Sequence, residues 1–361
     1  MTSMISKLIS GKGAPPSTPE GIIEVNKELS VKTLLPQEFG LTDLDLLETV
    51  GTGTFGRIRI VKNLANKKFY ALKIMKKGRI VQLKQLTRIQ DEVRIMSRVR
   101  CDFIPELFAF FQDDNNVYML MDYVPGGELF SHLRRQGKFS TVECQFFAVE
   151  IACAIEYLHK LNVAYRDLKP ENVLLTKDGH IRLIDFGLAK FLEEDKTFSL
   201  CGTPEYLAPE VIQGQGHGMS VDWWALGILI YEMAFGYPPF YADNPFGVYQ
   251  KILHGKIEFP GTPSMSTTRV VKGFCTVSRG SRLGCSRGGF DNIAGHSFFS
   301  GIEWMSASRQ LLMPPLVPLV LGEGDSSNYD LYPDEGPDEI SNLTLEERKM
   351  FSEFDVLLDR S

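Results

Sequence analysis

The run Tyr165-Arg166-Asp167-Leu168-Lys169-Pro170-Glu171-Asn172, followed shortly by Asp185-Phe186-Gly187, places a candidate base, a cation and two metal-binding side chains in one short stretch. Phosphoryl transfer from a nucleotide asks for little covalent chemistry. It needs in-line positioning and neutralisation of the charge on the γ-phosphoryl oxygens. In that chemistry Asp167 would accept the proton of a substrate hydroxyl, Lys169 would neutralise the transferring group, and Asn172 with Asp185 would hold Mg2+ through hard oxygen atoms. The same residues also suit an ordinary helix-to-strand connection in which Arg166 and Asp167 pair and Asn172 caps a turn, so their neighbours must decide.

Those neighbours come in an order that fits the chemistry. Gly51-Thr52-Gly53-Thr54-Phe55-Gly56 lies between two strand-like runs, where glycines let a backbone approach phosphate oxygens. Because 57–61 continues as a strand and not a helix, a dinucleotide-binding fold is disfavoured, and a plain hairpin turn is the competing reading. Lys73 ends the run Tyr70-Ala71-Leu72-Lys73, placed to hold α- and β-phosphates, and Glu92 on the next helix could pair with it. Ala208-Pro209-Glu210 completes the set.

The elements that must position these groups follow from patterning. Runs at 44–50, 57–63 and 69–75 read as the antiparallel strands of a small lobe. Residues 87–99 read as a helix with Ile89, Val93 and Met96 at helical spacing, and 117–123 as a buried strand. Pro125-Gly126-Gly127 offers a hinge, and the largely apolar 143–160 and 221–235 read as buried helices of a larger lobe. Ahead of them, 11–18 is rich in Gly, Pro and Ser and reads as a mobile arm, while 22–35 suits a short helix.

With 361 residues, 43% of them hydrophobic, the chain can bury a large core, and a net charge of −6 argues against a protein that coats nucleic acid. The six Cys residues show no Cys-x-x-Cys spacing, which points away from zinc and from a disulfide framework and toward a cytoplasmic or nuclear place. The sequence shows neither a myristoylation start nor a segment apolar enough for membrane insertion, and solubility is expected.

Together the motifs resemble those of the eukaryotic protein kinases, in particular the AGC group and its cyclic-AMP-dependent type. The resemblance runs from about 44 to 354 and is carried by 51–57, 165–172, Leu200-Cys201-Gly202-Thr203-Pro204-Glu205-Tyr206-Leu207-Ala208-Pro209-Glu210 and Gly236-Tyr237-Pro238-Pro239-Phe240. It implies an α+β, bilobal fold with ATP between the lobes. The implied divisions are an N-terminal extension 1–43, a kinase domain 44–299 with lobes at about 44–122 and 127–299, and a C-terminal tail 300–361. It further implies that Val50, Ile58, Ala71, Met121, Val124, Leu174 and Ile184 line an adenine pocket with Asp122 to Val124 as hinge. Met96, Leu107, Tyr165 and Phe186 would stack as a spine, and Asp222 would anchor the catalytic loop.

Control and selectivity are implied by the same resemblance. Ser199 would be phosphorylated in a pocket of Arg88, Arg166 and Lys190. Glu128, Glu171, Glu205 and Glu232 would receive substrate arginines, with Leu200, Pro204 and Leu207 favouring an apolar residue after the acceptor, which gives Arg-Arg-x-Ser/Thr-apolar. Lys169 and Thr203 match the Ser/Thr form. Phe351-Ser352-Glu353-Phe354 would dock on the small lobe and brace the Glu92 helix, and Asn328-Tyr329 would reach the ATP pocket. Implied partners are basic protein substrates, a cyclic-nucleotide-binding regulatory subunit in trans near Phe198 and Tyr249, and pseudosubstrate inhibitors. A cyclic-GMP-dependent or orphan AGC relative and a pseudokinase scaffold are the rival readings. Between 261 and 300 the chain departs from the family with Ser/Gly/Arg-rich text. There Gly273, Gly280, Gly284, Gly288 and Gly289 lower helix propensity, while Val270, Val271, Phe274 and Cys275 keep part of an apolar pattern and Arg282 remains a partner for Glu210.

Overall fold

The computed structural model describes residues 40–192, 196–330, 332–333, 343–352 and 354. The expectations for 11–18, 22–35, Glu353 and 355–361 lie outside the described residues. An antiparallel sheet of order β1-β2-β3-β5-β4 forms the small lobe from β1 (Leu44–Thr52), β2 (Gly56–Asn63), β3 (Phe69–Lys76), β4 (Leu107–Gln112) and β5 (Asn116–Asp122). Register pairs Lys73 with Ile58 on one side and with Met119 on the other, so the lysine sits mid-sheet beside the glycine hairpin. Irregular pairing of β1 between Leu46 and Gly51 bends the strand just before that hairpin.

Between β3 and β4 lie α1 (Lys77–Gln82) and α2 (Leu86–Arg98). Ile89, Val93, Ile95 and Met96 turn one face of α2 into the core, and Glu92 is buried with them. Only a paired carboxylate tolerates that position. The short α1 and strand β4 carry weak periodic signals and were not expected from patterning.

The large lobe contains α3 (Leu129–Gln136), α4 (Thr141–Lys160), the short strands β6 (Val163–Ala164), β7 (Val173–Leu175), β8 (Ile181–Leu183) and β9 (Lys190–Phe191), then α5 (Pro209–Ile212), α6 (Ser220–Phe235), α7 (Pro245–His254), α8 (Met265–Phe274), α9 (Gly289–Ala294) and α10 (Trp304–Ser308); α11 (Leu345–Phe351) follows in the tail. Ser140 starts α4 by accepting from Glu143 N at 3.3 Å while Glu143 Oε2 accepts from Ser140 N at 2.7 Å. From there α4 and α6 are buried nearly all round, which is why they read as continuous apolar runs.

The divergent stretch after 261 still builds helix. Ser264 caps α8 through Thr267 N at 3.0 Å, and Val270, Val271 and Phe274 are fully buried. Against them α6 presents Gly227, where a β-carbon would stand 2.6 Å from that of Phe274. Close packing of α6 on α8 therefore compensates for the low helix propensity of the segment. Among the described residues, no helix is long and apolar enough to cross a membrane.

Candidate active site

The loop 165–172 hangs between β6 and β7 on one buried carboxylate. Asp222, near the start of α6, accepts from Tyr165 N at 3.0 Å and Arg166 N at 2.7 Å, and His159 from the end of α4 meets it at 2.8 Å. His159 escaped the sequence reading; a lone His closing an apolar helix was its only signal. Arg166 holds φ at 68°, a conformation that costs a side-chain-bearing residue energy, and the two backbone bonds to Asp222 flank it.

Around Asp167 the polar groups converge. Asn172 Nδ2 donates to Asp167 O and to its Oδ2, both at 2.8 Å; Lys169 Nζ lies 3.0 Å from Oδ2; and Thr203 Oγ1 donates to Oδ1 at 3.3 Å while accepting from Lys169 at 3.2 Å. Burial pushes the Asp167 carboxyl above its ordinary range, with Lys169 and Asn172 opposing. The result is a fixed carboxylate whose affinity for a proton exceeds that of an ordinary aspartate, which suits a general base.

Across the cleft, Lys73 Nζ is 2.5 Å from Glu92 Oε1 and 4.0 Å from Asp185 Oδ1. Burial alone would lower the Lys73 pKa, but Glu92 and Asp185 more than offset it and keep the ammonium charged. Asp185 also has a positive φ, 58°, and accepts from Gly187 N at 3.1 Å. Because Asn172 spends Nδ2 on Asp167, its Oδ1 is the end left to face a cation, alongside the half-exposed Asp185 carboxylate. Such oxygen donors fit Mg2+. Among the described residues no group of three or more His, Cys, Asp or Glu could hold a metal alone, so phosphate oxygens would have to complete the shell.

The three glycines of the hairpin differ in kind. A β-carbon at Gly56 would strike the Ile74 carbonyl of β3, whereas at Gly53 nothing lies within 4 Å and at Gly51 the nearest atoms, on Ile58, are 3.8 Å away. Gly56 therefore serves the sheet, and Gly51 and Gly53 with exposed Thr52 and Thr54 leave the backbone open to a ligand. Phe55 is half-buried against the core. Val50, Val124 and Leu174 are buried, and Ile58, Ala71, Met121 and Ile184 are partly so, consistent with walls of a cleft that also pack as core.

The segment 123–125, where the hinge is expected, is tied to residues 325–329. Tyr123 Oη donates to Asp325 O at 2.6 Å, Asn328 Nδ2 to Pro125 O at 3.1 Å, and the Tyr329 hydroxyl to Val124 O. Asp122 Oδ2 accepts from Glu106 N at 2.8 Å, fixing the end of β5. Farther along, Phe351 and Phe354 are buried in the small lobe, with Phe354 stacked 5.2 Å from Phe110 of β4 and Lys77 5.0 Å from the Phe351 ring. Tyr165 and Phe186 meet edge to face at 5.2 Å, and Met96 and Leu107 are buried in the same core.

Ser199 is exposed, with its Oγ 3.1 Å from Arg166 Nη1 and 3.2 Å from Thr197 Oγ1, which Lys190 Nζ contacts at 3.3 Å. Arg88 is exposed on α2, near enough for its charge to oppose that of Arg166. Thr197 was not foreseen; it also pairs by backbone with His217. Below this segment Glu210 and Arg282 form a buried two-pronged ion pair at 2.8 and 2.9 Å, so the partner expected in the divergent stretch is in place.

The four glutamates share one electrostatic region. Burial, then Glu171 and Asp330, raise the Glu128 pKa against Lys169, and burial raises that of Glu232 with Glu171 and Glu205 adding to it. Glu232 receives Arg134 Nη2 at 3.1 Å and the Tyr206 hydroxyl, two partners that the sequence reading missed. Leu207 is buried, Pro204 is half-buried, and Leu200 stands in solvent.

A family model described as protein kinase domain matches residues 44–299. The chain is 47% identical over 337 residues to the cAMP-dependent protein kinase catalytic subunit PRKX of Homo sapiens, spanning 93% of this chain and 94% of that protein. It is 49% identical over 314 residues to the protein of the same name from Mus musculus, spanning 87% and 88%. With cAMP-dependent protein kinase type 3 of Saccharomyces cerevisiae it shares 42% over 316 residues, 87% of this chain and 79% of that one. Matches of this extent, on a chain whose cleft gathers Lys73, Glu92, Asp167, Asn172 and Asp185, make it a member of the protein kinase family, in the AGC serine/threonine group.

Proposed function

We propose that this kinase transfers the γ-phosphoryl of Mg-ATP to Ser or Thr in Arg-Arg-x-Ser/Thr-apolar sequences and is of the cyclic-AMP-dependent type. The observation that carries the reading is the contact set of Asp167, with Lys169, Asn172 and Thr203 all within 3.3 Å. The substrate hydroxyl oxygen forms a bond to the γ-phosphorus as the bond from that phosphorus to the β,γ-bridging oxygen breaks, and the hydroxyl proton passes to Asp167. Lys169 offsets charge on the moving group, and Lys73, steadied by Glu92, holds the α- and β-phosphates. Asn172 and Asp185 hold the magnesium ions, which supply charge compensation at the phosphoryl oxygens.

Selectivity rests on Glu128, Glu171, Glu205 and Glu232. Their mutual repulsion and burial are relieved by a guanidinium, which carboxylates receive in two-pronged fashion. Phosphate on Ser199 would gather Arg166, Lys190 and Arg88, like charges that otherwise repel. Regulation in trans is supported by relatives named as cAMP-dependent catalytic subunits. Transfer of radiolabel from ATP to an Arg-Arg-x-Ser-apolar peptide, with Asp167→Ala as control, tests the reaction; equal transfer by the variant would refute it. Capture of a cyclic-nucleotide-binding subunit that cyclic AMP releases tests the subtype, and release by cyclic GMP alone would favour the rival AGC reading.

A further inference from the structure

His217 forms a two-bond bridge with Thr197, in which each N–H donates to the other's carbonyl at 2.8 Å. Residues directly opposite in an antiparallel pair carry their side chains on one face, with β-carbons about 5 Å apart. On that face the Thr197 hydroxyl meets Ser199 Oγ at 3.2 Å and Lys190 Nζ at 3.3 Å, and Arg166 Nη1 reaches Ser199 Oγ at 3.1 Å. The two segments stay in register because Phe198 lies on Gly216, where a β-carbon would stand 2.9 Å from the ring. An imidazole only 2% exposed is thereby placed on the side of the bridge where Ser199 would carry phosphate.

Charges face His217 from each element packed on it: Arg166 of the loop before β7, Lys190 of β9, Glu210 of α5 and Asp222 of α6. Arg279 binds the Gly216 carbonyl at 3.2 Å, and Lys196 lies against Gly216. Asp167 and the Cys201 thiol line, together with His217, a cavity of about 20 Å³, room for about one water. Burial, then Arg166 and Lys190, hold the imidazole below its ordinary 6.5 against Glu210 and Asp222, so it is neutral at pH 7 while Ser199 is unmodified. Phosphate on Ser199 would bring about 1.5 to 2 negative charges to the face shared with Thr197. Opposite charge within about 6 Å moves a pKa by about 1 to 3. His217 is the group there whose charge can change near neutral pH in response.

We propose that His217 is a further residue of the Ser199 phosphate site, protonated when that phosphate is present and neutral when it is absent. This rests on, and deepens, the reading of Ser199 as a phosphorylation site: the switch would carry a proton with it. In the phosphorylated chain the pairing would stabilise the fold fully below about pH 6.5, the unfolded value, and the gain would be lost as pH rises through the raised folded value. Full-length chain with phosphoserine installed at 199 by codon reassignment is compared with phosphatase-treated chain holding Ser199, by carbon–proton NMR of the imidazoles from about pH 5 to 9. His217→Gln and His217→Phe each identify the signal by its loss. Without phosphate that signal should titrate below 6.5, and with phosphate its proton affinity should be at least about tenfold higher. A phosphatase should also release the phosphate faster from His217→Gln than from the natural phosphorylated chain at about pH 6, with the difference shrinking toward about pH 8.5. An unmoved His217 titration, or a release ratio that does not change with pH, overturns the proposal. Peptide phosphorylation is measured on both forms of the natural chain. Equal activity refutes the Ser199 switch itself, whereas raised activity with an unmoved His217 refutes only the part given to His217.

Discussion

Replacing Arg282 by Ala should unfold this protein at a markedly lower temperature, although the residue lies in the least family-like part of the chain. Its guanidinium is fully buried, with Nη1 and Nη2 on Glu210 at 2.8 and 2.9 Å, Nη1 also on Ser220 O at 2.9 Å, Nε on Thr276 O at 3.1 Å, and the Trp224 ring 5.1 Å away. Removal leaves the Glu210 carboxylate buried with only the Ser220 hydroxyl, at 2.9 Å, as a side-chain donor. Stranding one member of a buried pair costs about 3–5 kcal/mol. At about 2–4 °C per kcal/mol, that is a fall on the order of 10 °C in Tm. Circular dichroism on heating at pH 7 reads it. Arg282→Lys, which keeps charge but not the fork, should fall between. Arg282→Met/Glu210→Leu should recover part of the loss because no charge is left stranded. Burial works to raise the Glu210 pKa, but Arg282 outweighs it and the net shift is downward from 4.5. Stability from the pair is thus present above about pH 4.5 and lost as pH falls through the lower folded value, so the gap between natural and Arg282→Ala protein should narrow in acid. A Tm drop under about 2 °C, or a double variant as unstable as the two single losses summed, would refute the reasoning.

Asp167→Asn should lower kcat by about 10²–10⁴-fold. In the natural enzyme kcat should rise with pH through a value above the ordinary aspartate 3.8, since burial raises the Asp167 pKa and the deprotonated form is active; Lys169→Ala, which removes an opposing charge, should move that limb higher still. Gly56→Ala should destabilise the fold by more than about 1 kcal/mol, because its β-carbon meets the Ile74 carbonyl, while Gly53→Ala should leave Tm nearly unchanged and raise KM for ATP. A stable Gly56→Ala would contradict this. Glu128→Gln should raise KM about tenfold for an arginine-bearing peptide, the loss of one charge-assisted bond, and leave a peptide lacking that arginine unaffected; equal effects on both would remove Glu128 from recognition.

What the sequence made legible was what depends on short spacing. The catalytic loop, the Asp-Phe-Gly run and the glycine hairpin are local, so their residues could be read in order. The helix at 86–98 was found within two residues of its ends because its apolar periodicity is strong, and those at 141–160 and 220–235 because they are long, nearly continuous apolar runs. Groups that meet across long separations were less visible. His159 and Asp222, or Arg134 and Glu232, come together only after α3, α4 and α6 pack. The glycines of 273–289 looked like weakness because propensity is local, whereas α8 is held by Phe274 and Cys275 against Gly227.

Strain and support lie on adjoining elements in this molecule. Arg166 and Asp185 both hold positive φ, 68° and 58°, and each such conformation costs about 1–3 kcal/mol unless surrounding bonds over-determine it. Arg166 is over-determined: Asp222 takes its N–H, and Leu188 O takes its Nε at 2.7 Å. That second bond reaches into the segment just after Asp185, so the two strained residues are linked through Leu188. Asp222 and Glu210 are anchored in turn by α4 and by Arg282 beyond α8, well away from the cleft. Arg166 can therefore keep its unfavourable backbone conformation because Asp222 of α6 and the carbonyl of Leu188 supply the bonds that fix it, while Asp185 is held locally by the N–H of Gly187.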